Sequence, residues 1–349
     1  MSRTMTIAGR VIDDDARPFV IAELGHNHQG SVATASKMIE AAALAGADAV
    51  KLQKRDNRAL FTRAYFDRPY TGDNAFGPTY GAHREALELD RAAHEELQAV
   101  ARSCGVILFS TPFDIPSVHF LAELGVPALK IASACLTDTP LIRAAACVGV
   151  PVLISTGGGT WDDVDAAHEA LGAHGDHAFL HCTAVYPAPA RLLNLRAIAS
   201  MRAELPDVIG YSSHFSGVSM PLVAYALGAR ILEVHFTLDR TMRGTDHAFS
   251  LEPEGMRRLV RYLERAHEAL GHGDKRPYPE EAAAIAKMGK SAVAARHLIA
   301  GHVVTPEDVA YKSPGGGVPP SRGHALSGRV LMRPLEVDEP FPLYEEELP

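Results

Sequence analysis

Cysteine is scarce in this sequence and is not arranged for any cysteine chemistry. Cys104, Cys135, Cys147 and Cys182 are scattered, lack CxxC spacing and sit among apolar neighbours. They read as reduced, packed thiols rather than a disulfide framework or a thiolate metal clamp. No apolar run reaches the ~18 residues that a membrane span needs. The opening MSRTMTIAGRVIDDD lacks the apolar core of a secretory leader, so the expected location is the cytoplasm. Basic charge is in deficit: 34 Lys+Arg stand against 42 Asp+Glu, a formal charge of −8. Proteins that track nucleic-acid phosphates carry a basic footprint, which argues against that class. No G-x-G-x-x-G follows the first strand candidate, so a dinucleotide-binding sheet is disfavoured.

What is present is a rhythm. Eight short apolar runs bounded by Gly, Pro or polar residues recur at 18–25, 47–53, 106–112, 127–133, 151–157, 178–183, 208–213 and 231–236. Such runs are the pattern of strands buried on both faces. Amphipathic stretches such as 32–47 and 91–105 lie between them, with glycines near their ends where helix C-caps favour them. Strand–helix alternation implies parallel strands joined by crossovers. A doubly wound sheet shares that alternation, but eight units over roughly 270 residues fit an α/β fold of the (β/α)8 TIM-barrel type. The expected division is a barrel over 1–272, a polar Gly/Pro-containing linker over 273–286 and a small β-rich domain over 287–349. A module that small gains from docking on a partner surface. The connection 54–89 is ~35 residues long and rich in Tyr and Phe; loops beyond ~12–15 residues commonly cover a binding site.

In a TIM barrel the site is built at the carboxyl ends of the strands. Those ends carry Glu23; Lys51 and Gln53; Ser110 and Thr111; Lys130, Ser133 and Cys135; Ser155 and Thr156; His181 and Thr183; Ser212 and His214; and Glu233 and His235. Lys51 and Lys130 converge on one mouth among hydroxyls, the donor set that phosphate and carboxylate groups require. A lysine in such a barrel can alternatively act as a Schiff-base nucleophile. His214 and His235 close neighbouring strands, so their imidazoles can share one metal, with Glu23 within reach. His26, His28, His181 and His247 also fall on the expected active face.

At this point the stretches FVIAELGHNHQGS, ADAVKLQK, STPFD, LKIASA, LISTGG, LHCTAVYP, IGYSSHFSG and EVHFTLDRTMRGTDHAFSLEP resemble the N-acylneuraminate (sialic acid) synthase family. The tail, from MGKSAVAARHLIAG through VAYKSPGGGVPP, resembles that family's antifreeze-like (SAF) domain. The resemblance runs over about residues 16–345. It implies condensation of phosphoenolpyruvate with an N-acylmannosamine-type aldose, giving a nine-carbon 2-keto-3-deoxy sugar acid and phosphate. It matches His214 and His235 to the ligands of a divalent metal, manganese with magnesium or cobalt as alternatives, and Glu23 to a catalytic role beside it. It matches Lys51, Thr111, Lys130, Ser133, Ser155 and Ser212 to phosphoenolpyruvate, and Gln53, Tyr186 and Asp246 to the sugar. A domain-swapped homodimer is implied as well.

The chain departs from the family pattern at Ala132-Ser133-Ala134-Cys135, where Gly-Ser-Gly and an acid are usual, and at Ala184, Ser213, Val234 and Ser313. These changes collect toward the sugar. The resemblance therefore leaves open a 6-phosphorylated N-acylmannosamine, mannose giving Kdn, or a 2,4-diacetamido sugar giving legionaminate or pseudaminate. A non-catalytic, ice- or glycan-binding protein is disfavoured by the eight polar strand ends and the histidine pair, and ice binding further by a tail that holds a single threonine, Thr305.

Overall fold

The computed structural model describes residues 3–343; residues 1–2 and 344–349, at the edges of the two expected domains, lie outside the described residues. The chain divides into two compact units, 1–271 and 272–349.

The first unit opens with a hairpin that the sequence reading did not anticipate, β1 (Thr4–Ile7) against β2 (Arg10–Asp13). Ala8 and Gly9 both take positive φ, 48° and 80°, as a two-residue type I′ turn demands. Met5, Ile7 and Ile12 are buried from it. The amide of Thr6 donates to Asp176, just before a barrel strand, so the hairpin sits at the N-terminal end of the barrel, away from the site.

Eight parallel strands then close a barrel: β3 (Phe19–Gly25), β4 (Ala49–Lys54), β5 (Ile107–Pro112), β6 (Leu129–Ile131), β7 (Val152–Ser155), β8 (His177–Cys182), β9 (Val208–Ser213) and β10 (Ile231–His235), with β10 pairing back on β3. Each coincides with one expected run to within a few residues. Every residue of β3 and β10 is buried, because helices cover the outside of a parallel barrel and side chains fill its inside. The helices begin on side-chain caps: Ser31 accepts from the Thr34 amide, and Asp90 from that of Ala93. The register of β3 on β4 shifts between Glu23 and Gly25. Gly25 adopts φ +51°, and a Cβ there would lie 3.4 Å from both Gln53 Nε2 and Glu23 Oε1. A bulge at this rim re-aims the Glu23 carboxylate.

The connection 55–90 is not structureless. It holds short helices at Asn57–Leu60, Arg63–Phe66 and Tyr80–Glu85, tied by edge-to-face contacts of Tyr80 with Phe61, Tyr65 and Tyr70 at centroid distances of 4.8–5.4 Å.

The second unit, described by itself, pairs β11 (Ser291–Ala294) with β12 (Val309–Lys312) in antiparallel register. Its core is Ala292, Ala294, Leu298, Val304, Val318, Leu326, Leu331, Leu335 and Phe341. Asp308 is fully buried and accepts from Arg296, His302 and Thr305. The stretch expected as a linker carries a 3-10 turn, Pro279–Glu281, and a helix, Ala282–Met288. The Gly315 amide donates to Ala286 O, so that helix is bonded to the small unit.

Candidate active site

The carboxyl ends of the strands surround a cavity of about 560 Å³. Of the residues singled out from the sequence, Glu23, Lys51, Gln53, Thr111, Lys130, Ser133, Tyr186, Ser212, His214, His235 and Asp246 all line it.

Its floor is an ion-paired network. Lys51 Nζ lies 2.5 Å from Glu23 Oε2, donates to Thr111 Oγ1 at 2.7 Å and stands 3.7 Å from Glu233 Oε1. Lys130 Nζ is 3.6 Å from the same Glu233 oxygen, to which Ser212 Oγ also donates at 3.2 Å. Gln53 Nε2 donates to Glu23 Oε1 at 2.6 Å. All three partners, Lys51, Glu23 and Glu233, are almost wholly buried. Burial alone would raise the Glu233 carboxyl, yet Lys130 and Lys51 beside it hold it well below the usual carboxylate range.

His214 and His235 face each other with ring centroids 5.4 Å apart, and the Tyr186 ring lies 3.9 Å from that of His214. His214 Nδ1 is 2.8 Å from Thr183 O. Because a carbonyl only accepts, Nδ1 carries the proton and Nε2 keeps a free lone pair, the arrangement of a metal-binding imidazole. Burial first, and His235 second, push His214 down to about 3, so its ring is neutral at physiological pH. His235 Nδ1 is buried without a hydrogen-bond partner, with Asp246 Oδ2 3.8 Å away. Among the described residues, no three His, Cys, Asp or Glu side chains converge as a metal cage. An ion here would rest on two imidazoles, its remaining positions open to water and substrate oxygens.

Several expectations shift. Ser155 is fully buried, its Oγ has no hydrogen-bond partner, and it is not among the residues that line the cavity. Of the four further histidines, only His26 reaches the cavity. His181 Nε2 lies against Leu193 O and its ring stacks on Tyr211, because Cys182 occupies the inward position and strand side chains alternate. His28 Nδ1 accepts from the Gly30 amide and His247 Nδ1 contacts Thr237 Oγ1, both structural roles.

Glu233 was noted only as a strand end, yet it joins both lysines. It lies two residues from His235 on one strand, so period-2 alternation places it on the same inward face. Arg55, Asn74, Arg84 and Thr245 also line the cavity; they come from loops or, for Arg84, from a six-residue helix too short to carry a periodic signal.

A closed eight-stranded barrel with buried lysine–carboxylate pairs and a histidine pair at its carboxyl mouth has the architecture of a TIM-barrel enzyme. Residues 38–275 match the NeuB family and residues 289–343 the SAF domain. The N-acetylneuraminate-9-phosphate synthase of Mus musculus is 36% identical over 334 residues, 95% of this chain and 93% of that protein. The N,N'-diacetyllegionaminic acid synthase of Legionella pneumophila is 35% identical over 320 residues, 90% of each. The crystal structure of the sialic acid synthetase of Leptospira borgpetersenii aligns with a TM-score of 0.72 at 33% identity, covering 82% of this chain and 96% of that one. A 3-deoxy-D-arabino-heptulosonate 7-phosphate synthase from Thermotoga maritima, 16% identical with a TM-score of 0.58, shares the fold. The chain belongs to the NeuB family: it is an enzyme of the sialic acid synthase type, which forms a carbon–carbon bond by condensation.

Proposed function

We propose that this enzyme condenses phosphoenolpyruvate with the open-chain aldehyde of an N-acylmannosamine-type aldose, releasing phosphate and a nine-carbon 2-keto-3-deoxy sugar acid. The observation that carries this reading is the meeting of Lys51 and Lys130 around Glu233, beside Thr111, Ser133 and Ser212. Two ammonium groups and three hydroxyls suit the phosphate and carboxylate of phosphoenolpyruvate. C3 of the enol attacks the aldehyde carbon, forming the C–C bond, and the aldehyde oxygen becomes a hydroxyl. Water adds at C2, and phosphate leaves from the tetrahedral carbon. Glu23, held between Lys51 and Gln53, takes the proton of that water.

His214, through its free Nε2, and His235, with its unpartnered ring nitrogen, would hold a divalent ion, manganese in preference to magnesium or cobalt. When bound, that ion supplies Lewis-acid polarisation of the aldehyde carbonyl. Tyr186 and Asp246, at the same mouth, contact the sugar.

The Schiff-base alternative needs a free amine. Both lysines stand in ion pairs with carboxylates, so borohydride should trap no substrate adduct. The apolar side chains that the small unit exposes, among them Ile299 and Met332, support a homodimer, measurable by sedimentation velocity. The test of the main reading is incubation with phosphoenolpyruvate, Mn²⁺ and a panel of hexosamines, scoring phosphate release and product mass. EDTA, His214→Ala and His235→Ala should each abolish release. Full activity in either variant sinks the metal assignment; no nonulosonate product from any acceptor sinks the reaction.

A further inference from the structure

Three connections meet at one exposed arginine. In the barrel β3 stands between β10 and β4. Its own connection to the next helix, 26–31, is short, so the longer ones that follow β10 and β4 meet across it. Arg243, in the connection after β10, donates from Nε to Asp73 O at 2.6 Å and from Nη2 to Ala75 O. Its guanidinium carbon stands 4.9 Å from the Phe76 ring centroid. Gln29, in the connection after β3, donates from Nε2 to Arg243 O. The next amide, that of Gly244, donates to Asn74 Oδ1 at 3.0 Å.

What Arg243 holds is the tip of a protrusion. Pro69 and Thr79 form an antiparallel bridge, the Tyr70 amide donates to Pro78 O at 3.1 Å, and the Tyr80 amide to Arg68 O at 2.9 Å. Residues 71–77, beyond these rungs, form neither helix nor strand. Two of their bonds stay inside the connection: Ala75 N donates to Gly72 O at 3.0 Å, and Phe76 N to His83 Nδ1 at 3.1 Å. The base is pinned by the Tyr80 ring contacts, whereas the tip is tied to the loop after β10 by Arg243 and Gly244. A segment with few ties to the core is among the first to open. Guanidinium donors make charge-assisted bonds, stronger than neutral ones.

The tip bears on the cavity. Asn74 lines it, as do Thr245 and Asp246 from the loop that carries Arg243. A second space of about 30 Å³ lies between the two connections, with Tyr70, Asn74 and Phe76 on one side and Gly244, Thr245 and Asp246 on the other. Asp246 Oδ2 is 3.8 Å from His235 Nδ1, which puts this wall on the side of the histidine pair. Lys130 and Ser133 come from β6 and the turn after it, which the arginine does not touch.

We propose that Arg243 is a positioning residue for the acceptor: it latches the 71–77 tip onto the loop after β10 and so completes the cavity wall through Asn74. The proposal rests on the condensation reading for what the acceptor is. With the latch formed, the wall is in place before the aldose arrives. Without it the closed tip is populated only in part, and the apparent affinity for the acceptor falls by that fraction. Phosphoenolpyruvate, held from the strand ends, keeps its affinity.

The test combines kinetics with hydrogen exchange on the full chain. Assays use phosphoenolpyruvate, Mn²⁺ and whichever hexosamine of the panel releases most phosphate. Arg243→Met keeps the aliphatic stem and removes the donors. It should raise the KM for the hexosamine about tenfold, with kcat and the KM for phosphoenolpyruvate within about twofold of the parent. Arg243→Lys, offering one ammonium to two carbonyls, should recover part of the loss. In the free enzyme, the amides of Ala75, Phe76 and Gly244 should exchange roughly tenfold faster in Arg243→Met, while those of β3 and β10 keep their rates. An unchanged KM for the hexosamine overturns the proposal. So does a rise in both KM values together, or faster exchange that spreads into β3 and β10, since either makes Arg243 a general structural contact. If no hexosamine releases phosphate, the condensation reading fails and exchange alone judges the latch. Selective loss of protection at the tip upholds it; unchanged protection refutes it.

Discussion

The two cationic ends of the cavity are built on opposite rules. At the lysine end each positive group is matched: Lys51 by Glu23 and Glu233, Lys130 by Glu233. At the arginine end the guanidiniums of Arg55 and Arg84 share the single imidazole of His26, and among the described residues neither forms an ion pair with a carboxylate. A matched buried pair is self-sufficient, and losing one member strands the other. An unmatched pair is stable only to the extent that hydrogen bonds and stacking offset its repulsion. The lysine end is therefore part of the protein's stability as well as its chemistry.

Substitutions break the comparison in order of effect. Lys51→Met should be the most damaging, leaving Glu23 without its ammonium partner. A loss of about 3–5 kcal/mol, read by chemical denaturation, is expected with loss of phosphate release; an unchanged midpoint would show the pair is dispensable. Glu233→Gln should cost about 1.5–3 kcal/mol, because both lysines and Ser212 lose a charged acceptor.

Asp308 tests the matched rule outside the cavity. Burial would raise its carboxyl, but bonds from His302, Thr305 and Arg296 hold it well below its ordinary 3.8. A folded value depressed in this way adds stability that is present above pH 3.8 and is lost as the pH falls toward the folded value. Asp308→Asn should cost about 1 kcal/mol at neutral pH and flatten the acid limb of the small unit's hydrogen-exchange stability. An unaltered acid limb would remove Asp308 from the account.

The smallest effect belongs to the unmatched end. Arg84→Met should shift stability by less than about 0.5 kcal/mol, or raise it, since repulsion on Arg55 is relieved. A loss comparable to that of Lys51→Met would mean that the arginines have a structural partner after all.

Much of this was legible before the fold. The strand runs announced themselves because a strand buried on both faces is apolar along its length, and polar residues at its end then stand out. Lys51, Lys130, His214 and His235 were found that way. Glu233 was legible in principle, two residues from His235, but a lone carboxylate in an apolar strand carries no local mark of its partners. Ser155 was placed on the lining because it ends a strand; strand ends differ in depth, and its side chain is fully buried and outside the lining. His181 was misplaced for want of a strand phase, since one residue of offset turns a side chain to the other face. The opening hairpin was passed over because four-residue strands carry too little pattern to register.

The eight βα units, the small β-rich tail and the polar strand ends can all be read along the chain. These follow from local periodicity and from the need to bury apolar runs. Which ends meet is a property of the closed barrel. Barrel closure brings Lys51, Lys130 and Glu233 together from three strands, and the path of residues 55–90 carries Arg84 to His26 and Arg55. Contacts between side chains so far apart in the chain depend on stagger, loop path and packing of the whole barrel, which no local pattern encodes.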